Sequence, residues 1–265
     1  MHLYFHLFGL SIPAYGSLIA LGLVLANLMA WVLLKKRELD PDDFLILEGY
    51  ALLGGLLGAK LLYFFVSRNE IDWSRIFEFS YLSELMKSGF VFYGGLIGSL
   101  FTVFLAGKIH KIKVENYVSQ VIVFIPFIHG FGRLGCFMAG CCYGIPWDGP
   151  FAVTFPEGSM APSGISLFPV QLVEAIFLFV IFGIELSLLL KKNFKYTVEL
   201  YILLYAILRF IMEFFRYDSI RGFAAGISTS QWICIGCFAL SVVWLLRCIR
   251  KKANAGHGNV SNAEN

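Results

Sequence analysis

Seven apolar segments, each close to the length that crosses a lipid bilayer, dominate this sequence. Hydrophobic residues make up 58% of the 265 residues, charged residues make up only 15%, and the mean hydropathy is +0.74. This composition excludes an ordinary soluble domain, whereas about 20 consecutive apolar residues suffice for a membrane-spanning helix. We therefore predict an all-α polytopic membrane protein whose spans are residues 11–34, 44–66, 90–107, 117–137, 168–190, 197–215 and 228–249.

Lysine and arginine are distributed unequally between the two sides of these spans. Thirteen of the 21 lie in alternate connections and the tail, and five lie in the connections on the opposite side. Because positively charged connections stay in the cytoplasm, we expect the N-terminus outside and the C-terminus in the cytoplasm. We expect one membrane domain over residues 1–250 and a cytoplasmic, disordered tail over 251–265. The outward connection 67–89 is rich in aromatic residues, which predicts an arm lying along the membrane interface.

The stretch from His129 to Gly144 is the most informative part of the chain. It contains Arg133 and five glycines at the end of an apolar run. An arginine inside a span costs roughly 2.5–3.5 kcal/mol, so such a residue generally has a partner or a function. Glycines permit close approach of a ligand and expose main-chain N–H groups. We infer that Arg133 binds a phosphate headgroup, with Gly132, Gly135 and Gly144 shaping its surroundings.

Further polar residues fall within or at the ends of the predicted spans. Arg209, Glu213 and Arg216 share one helix face, so Glu213 can pair with either arginine and leave the other for an anion. A purely structural ion pair is an equal alternative. The remaining polar positions and the glycines beside them are Tyr15, Lys60, Tyr93, Gly94, Gly95, Gln171 and Glu174. The strings Gly-Gly-Leu-Leu-Gly, from Gly54, and Gly-Gly-Leu-Ile-Gly, from Gly94, also fit close helix packing.

Histidine and cysteine offer two further kinds of chemistry in the same stretch. His129 lies four residues before Arg133 and is suited to accepting a proton, although a structural hydrogen bond is equally compatible with its position. Cys136, Cys141 and Cys142 match no common zinc spacing, and adjacent cysteines rarely chelate one ion well. We therefore predict no metal and no cofactor, while a disulfide and a cysteine nucleophile stay open as alternatives.

Several motifs together resemble one known family. They are Ile-Pro-Ala-Tyr15-Gly, Gly-Ala-Lys60-Leu-Leu-Tyr, Tyr93-Gly-Gly-Leu-Ile-Gly, Gly132-Arg133-Leu-Gly135 with Gly140 and Gly144, Phe-Pro-x-Gln171-x2-Glu174, Arg209-Phe-x2-Glu213-Phe-Phe-Arg216 and Ser230-Gln231-Trp. The chain resembles the bacterial prolipoprotein diacylglyceryl transferases over most of its length. The resemblance implies a multi-pass enzyme of the bacterial cytoplasmic (inner) membrane. It implies that a diacylglyceryl group moves from phosphatidylglycerol to the lipobox cysteine of a preprolipoprotein signal peptide, releasing glycerol phosphate.

The resemblance also implies roles for individual residues. Arg133 would hold the phosphate, Arg209 and Glu213 would position the lipid, and Tyr15 and Gly144 correspond to positions that the family treats as essential. The substrate-binding set would add Gly132, Gly135, Tyr93, Gly94, Gly95, Gln171, Glu174, Arg216 and Lys60. The chain departs from the family where Cys136 replaces a frequent Asn, Cys141 replaces a frequent Glu, Tyr93 replaces a frequent His and Lys60 replaces an Arg. With that histidine absent, His129 becomes the candidate base.

Two alternatives remain at this point. Intramembrane charges also suit a transporter, although here they gather at one level instead of lining a path. A divergent family member could bind lipid or use another acceptor, with the cysteine cluster serving redox or metal chemistry. Nothing in the sequence indicates nucleic-acid binding, and the expected partners are the two substrates and membrane lipids. The enzymatic hypothesis would be contradicted by an Arg133 fully occupied by carboxylates with no opening toward acyl chains.

Overall fold

Helices make up most of the computed structural model, which describes residues 3–7, 10–87, 89–192, 194, 196–217, 223–224 and 226–261. The helices are α1 (Ala14–Lys36), α2 (Pro41–Val66), α3 (Phe79–Lys87), α4 (Phe92–His110), α5 (Val114–Val121), α6 (Ile125–Ala139), α7 (Val170–Lys192), α8 (Thr197–Glu213) and α9 (Thr229–Ser261). Two 3₁₀ turns lie at Trp73–Arg75 and Ile122–Phe124.

Within the described ranges, six helical stretches are long and apolar enough to cross a membrane. They are Ala14–Lys36, Pro41–Val66, Phe92–His110, Val114–Ala139, Val170–Lys191 and Thr229–Arg247. The sixth predicted span, residues 197–215, is also a helix, α8, but it has only 17 residues and carries both Arg209 and Glu213. The prediction of an all-α polytopic membrane protein is confirmed.

Two predicted spans differ in detail from the observed helices. The first was expected to begin at residue 11, but Leu10–Pro13 forms a strand and the helix begins at Ala14. The residues of this strand are mostly apolar, so hydropathy alone does not distinguish them from the first turn of the helix. The fourth was expected to be continuous over 117–137, but a 3₁₀ turn separates α5 from α6. Pro126 accounts for this break, because proline lacks the amide hydrogen that an uninterrupted helix would use.

Three two-stranded antiparallel hairpins, which the sequence analysis did not predict, complete the described secondary structure. They pair β1 (Tyr4–Leu7) with β2 (Leu10–Pro13), β3 (Val153–Thr154) with β4 (Ser166–Leu167), and β5 (Phe223–Ala224) with β6 (Ile227–Ser228). The last helix continues to Ser261, so residues 251–261 are helical where composition predicted a disordered tail. Extending a helix that is already formed avoids the cost of nucleating a new one, which composition does not report.

The chain divides into two compact units. One comprises residues 1–30 and 119–265, and the other comprises residues 31–118. In the first unit, α7 and α8 pack through a core that includes Leu178, Ile181, Leu208 and Met212. One catalytic domain over residues 1–250 stays a prediction.

In the second unit, α2 and α4 lie in close contact along their glycines. The Gly58 position faces the Gly94 backbone, and the Gly54 position faces the carbonyl oxygen of Gly98. The Thr102 hydroxyl donates a hydrogen bond across the contact to the carbonyl oxygen of Tyr50, at 2.6 Å. The predicted close packing of these glycines is therefore confirmed.

The predicted interfacial arm lies between α2 and α4 in the same unit. It contains the short helix α3 and the 3₁₀ turn at Trp73–Arg75. Phe77 and Phe79 are 96% and 86% exposed, as aromatic side chains at a lipid interface would be.

Candidate active site

Arg133 on α6 forms an ion pair with Glu174 on α7. The distance from its Nη2 to Oε1 of Glu174 is 2.9 Å, and the two side chains are 12% and 1% exposed. Burial at this depth is tolerable because each charge compensates the other. A guanidinium has five N–H donors, and the Arg133 Nε has no hydrogen-bond partner among the described residues. One carboxylate therefore occupies Arg133 only in part. Arg133 is not fully occupied by carboxylates, which is the arrangement that would have contradicted the enzymatic hypothesis.

Two tyrosines of α8 extend this pair into a network. The Tyr205 hydroxyl donates a hydrogen bond to Glu174 Oε1 at 3.3 Å. The His129 ring packs edge-on against Tyr205, and its Nδ1 lies 3.3 Å from the Tyr201 hydroxyl. His129, the predicted base, is thus oriented by α8, while Arg133, four residues further along α6, is oriented by α7.

A second buried ion pair joins Arg209 and Glu213 along α8. The distance from Nη2 to Oε2 is 2.7 Å, and the side chains are 10% and 7% exposed. The other carboxylate oxygen of Glu213 accepts a 2.8 Å hydrogen bond from the Ser228 hydroxyl at the start of α9. Glu213 therefore pairs with Arg209, one of the two arginines that its spacing allowed. Among the described residues, the buried Nη1 of Arg209 has no hydrogen-bond partner.

The two predicted glycines on α6, Gly132 and Gly135, have different surroundings. A Cβ on Gly132 would meet no atom within 4 Å, so there is open space beside Arg133. A Cβ on Gly135 would lie 3.0 Å from the ring and the carbonyl oxygen of Tyr15, so this glycine lets α1 approach α6. The tyrosine itself is 43% exposed. The structure thus places Tyr15 against Gly135 on α6, the helix that also carries Gly132 and Arg133.

Gly144 connects the segment after α6 to the end of α8. It forms an isolated antiparallel bridge with Arg216, and a Cβ there would lie 2.9 Å from the carbonyl oxygen of Phe215. Gln171, which is fully buried, donates a 2.8 Å hydrogen bond to the carbonyl oxygen of Cys141 in the same segment. Both predicted residues fix the path of this segment, and a role in binding substrate stays a prediction for each.

The other predicted substrate-binding residues belong to the unit of residues 31–118. Lys60 is buried and donates hydrogen bonds to the carbonyl oxygens of Leu85 and Gly89, which joins α2 to the arm. Tyr93 is 48% exposed. Gly94 contacts the backbone of α2, and Gly95 lies beside it on α4. Their assignment to substrate binding stays a prediction.

Cys136, Cys141 and Cys142 form a cluster whose three sulfur atoms lie within 4.8 Å of one another. All three are free and partly buried. Hydrogen bonding by the Cys136 and Cys141 thiols lowers the pKa of the Cys142 thiol, and the positive charges of Arg216 and Arg133 act in the same direction. The spacing argument had not anticipated that adjacent cysteines would converge on Cys136.

An apolar groove of about 240 Å³ lies between α8 and α9. It begins within one helical turn of Arg209 in the sequence of α8. Its lining residues are Ala206, Ile207, Phe210, Ile211, Cys234, Ile235 and Phe238. A groove of this character can accept a hydrocarbon chain.

Sequence reasoning missed Tyr201, Tyr205 and Ser228 as parts of the site. Tyr201, Tyr205, Arg209 and Glu213 recur every four residues and therefore share the buried face of α8. That spacing was a usable signal, whereas the link from Ser228 to Glu213 required knowledge of how α8 and α9 pack.

These observations define a multi-pass membrane protein with a buried site of arginine–carboxylate pairs. The family model described as prolipoprotein diacylglyceryl transferase matches residues 2–247. The chain belongs to this family of membrane transferases, as its motifs predicted, and the membership argues against the transporter alternative.

Three relatives illustrate the similarity. The chain is 39% identical over 232 residues to the phosphatidylglycerol–prolipoprotein diacylglyceryl transferase of Clostridium tetani (strain Massachusetts / E88), covering 86% of this chain and 90% of that protein. It is 34% identical over 232 residues to transferase 2 of Clostridium perfringens (strain 13 / Type A), with 86% and 88% covered. It is 34% identical over 221 residues to the transferase of Clostridioides difficile (strain 630), with 82% and 83% covered.

Proposed function

We propose that this chain transfers the diacylglyceryl group of phosphatidylglycerol to the thiol of the lipobox cysteine in preprolipoproteins. This is the first step of bacterial lipoprotein modification, and glycerol phosphate is released. The observation that best supports this function is the buried Arg133, which is paired with one carboxylate. It follows Gly132 in the chain, and there is open space at the Cβ position of that glycine. The names of its relatives, which give phosphatidylglycerol and prolipoprotein as substrates, support the same assignment.

The reaction requires stabilisation of a phosphate that leaves with a negative charge. The acceptor sulfur forms a bond with C3 of the diacylglycerol moiety while the C3–O bond breaks, and the electron pair departs with glycerol phosphate. Guanidinium groups in a site of low dielectric constant stabilise this charge strongly. Arg133 and Arg209 would bind the phosphate, with Glu174 and Glu213 holding each guanidinium in position.

The remaining site residues have supporting roles in this proposal. His129 would accept the proton of the acceptor thiol, held in position by Tyr201. Tyr15 would contact the headgroup from the start of α1. The apolar groove between α8 and α9 would hold one acyl chain, since it begins within a turn of Arg209.

The proposed location is the bacterial cytoplasmic membrane. The N-terminus would lie outside and the C-terminus in the cytoplasm, as the distribution of lysine and arginine indicates. The connection between α6 and α7, which follows Arg133, would then face the compartment in which preprolipoproteins emerge.

The test measures glycerol phosphate release by purified protein in detergent, supplied with phosphatidylglycerol and a lipobox peptide. Arg133→Ala is expected to lower the rate by at least about 100-fold, because it removes a cation from the developing charge. Arg75→Ala is the matched control, since Arg75 forms an ion pair of the same 2.9 Å length with Glu78 at an exposed position. Equal rates for native protein and Arg133→Ala would contradict the proposal. Tight binding of phosphatidylglycerol by native protein with no release would identify a lipid-binding protein instead.

A further inference from the structure

The cysteine cluster is built by the turn that ends α6. Cys136 lies in the last turn of the helix, and Gly140 ends it in a left-handed conformation with φ of 73°. The backbone N–H of Cys141 then donates a hydrogen bond to the carbonyl oxygen of Cys136 at 3.1 Å. Cys142 is also left-handed, with φ of 56°, although left-handed backbone disfavours side chains other than glycine. This backbone breaks the usual alternation of neighbouring side chains, so both sulfurs converge on Cys136.

The surroundings hold this turn in place and supply positive charge. The fully buried Gln171 fixes the Cys141 carbonyl oxygen from α7. Arg133 lies one helical turn before Cys136 on α6, and Arg216 forms a backbone bridge with Gly144, two residues after Cys142. Three thiolates around a divalent cation carry one net negative charge, which these guanidinium groups would offset.

The donor set and its spacing favour a thiophilic cation. A tetrahedral zinc site has Zn–S distances of about 2.3 Å, which places its sulfurs about 3.8 Å apart. The three sulfurs already lie within 4.8 Å of one another, so a shift of about 1 Å or less would complete the geometry. Thiolates select zinc over the oxygen-preferring magnesium and calcium ions. Three protein ligands leave the fourth zinc position open, as in catalytic zinc sites.

We propose that Cys136, Cys141 and Cys142 bind one Zn²⁺ whose fourth position takes the thiol of the acceptor cysteine. This proposal rests on the proposed function and reverses the expectation of no metal, which was based on the spacing of the cysteines and on the adjacency of Cys141 and Cys142. The acceptor thiol gives its proton through water to His129, which lies seven residues or about 10 Å before Cys136 on α6, and the sulfur stays bound as a thiolate. Its sulfur forms the bond to C3 as the C3–O bond breaks, and the electron pair leaves with glycerol phosphate. Zinc keeps its oxidation state throughout.

The first experiment measures metal content. Full-length protein in detergent is reduced with a thiol-free reductant, incubated with zinc chloride, freed of unbound metal and analysed by mass spectrometry. We expect about one Zn²⁺ per native chain. Each of Cys136→Ser, Cys141→Ser and Cys142→Ser should lose most of it, while Cys237→Ser on α9 should keep it.

The second experiment examines the open position without relying on turnover or on folding of a variant. Native protein is loaded with Co²⁺, whose absorption reports the number of bound thiolates. A lipobox peptide is expected to increase the sulfur-to-cobalt band, whereas the same peptide with serine in place of cysteine should not.

The outcomes separate this proposal from the proposed function. Reduced native protein that takes up no zinc, or a disulfide within the cluster that reductant does not open, would overturn the metal site. Full transferase activity in zinc-free protein would also overturn it while leaving the proposed function intact. Stoichiometric zinc with a peptide-dependent cobalt band, but no transferase activity, would support the metal site and contradict the proposed function.

Discussion

At the scale of single residues, the Arg133–Glu174 pair carries the clearest consequence for stability and activity. Glu174→Gln keeps the shape of the side chain but leaves Arg133 as an uncompensated buried charge. Breaking a buried pair in this way costs about 3–5 kcal/mol, so we expect a lower unfolding midpoint and a rate reduced by about 10-fold or more. Glu78→Gln in the exposed pair with Arg75 should lower the midpoint far less, because solvent screens that pair. Similar unfolding midpoints for the two variants would show that the buried pair contributes no more to stability than the exposed pair.

Glu185 differs from Glu174 because its buried carboxyl group makes no hydrogen bond within the described part of the chain. It is 0% exposed on α7, and neither oxygen has a hydrogen-bond partner among the described residues. Burying such a group costs about 1–3 kcal/mol, so Glu185→Leu should raise the unfolding midpoint of the detergent-solubilised protein. The measurement is thermal unfolding followed by intrinsic tryptophan fluorescence. A midpoint below that of native protein would mean that Glu185 has a stabilising partner.

The sequence could identify those site residues whose charged side chains are costly to place inside a membrane span. Arg133 and Glu213 are charges in apolar runs, so the sequence indicated that each has a partner or a function, although it did not indicate Glu174 as the partner of Arg133. Tyr205 is an ordinary membrane residue by composition, and only its contact with Glu174 reveals a role. Convergence of Cys141 and Cys142 depends on a left-handed backbone, which the order of residues does not specify.

At the scale of helices, the glycines of α2 and α4 should determine stability. A Cβ at Gly58 would overlap the backbone of Gly94, which cannot move aside as a flexible side chain could. Gly58→Ala should therefore destabilise the protein by about 1–3 kcal/mol through overpacking. Gly49→Ala on the same helix is the matched control, since no atom lies within 4 Å of its added Cβ. Thermal unfolding of both variants tests this, and equal midpoints would contradict the packing argument.

The start of α9 links helix stability to the site. The Ser228 hydroxyl accepts a hydrogen bond from the backbone N–H of Gln231, and the Gln231 side chain accepts one from the backbone N–H of Ser228, which is a capping box. Ser228 also donates to Glu213. Ser228→Ala should cost about 1 kcal/mol of stability and lower the transferase rate by releasing Glu213. Ser228→Thr keeps the hydroxyl and should therefore retain both the stability and the transferase rate. A Thr variant of native stability with a reduced rate would show that the helix cap does not determine activity.

Helix positions were largely predictable because hydropathy responds to length and composition. The glycine strings of α2 and α4 also predicted their mutual packing, since small residues permit backbone contact. The break before Pro126 and the strand at Leu10–Pro13 were missed because both segments are as apolar as the helices beside them. Local backbone geometry determines where the helix breaks and where the strand forms, and hydropathy contains no information on that geometry.

At the scale of the whole molecule, orientation in the membrane determines which compartment the site serves. Lysine and arginine cluster at the ends of α1, α4 and α7 and near the end of the last span, while the connection 138–167 contains neither. Positive charges near the ends of spans hold their connections in the cytoplasm. The proposed reaction therefore requires the segment containing Gly144 to face outward.

Reporter fusions in bacterial cells test this orientation without altering the cysteines. Green fluorescent protein joined after residue 265 should fluoresce, and alkaline phosphatase at the same position should be inactive, because the C-terminus is expected in the cytoplasm. Alkaline phosphatase joined after residue 150 should be active, since that connection is expected outside. The connection after α4, at residue 112, is the matched cytoplasmic control. The reverse pattern would place Arg133 near the cytoplasmic face, where a preprolipoprotein acceptor has not yet crossed the membrane, and it would contradict the proposed function.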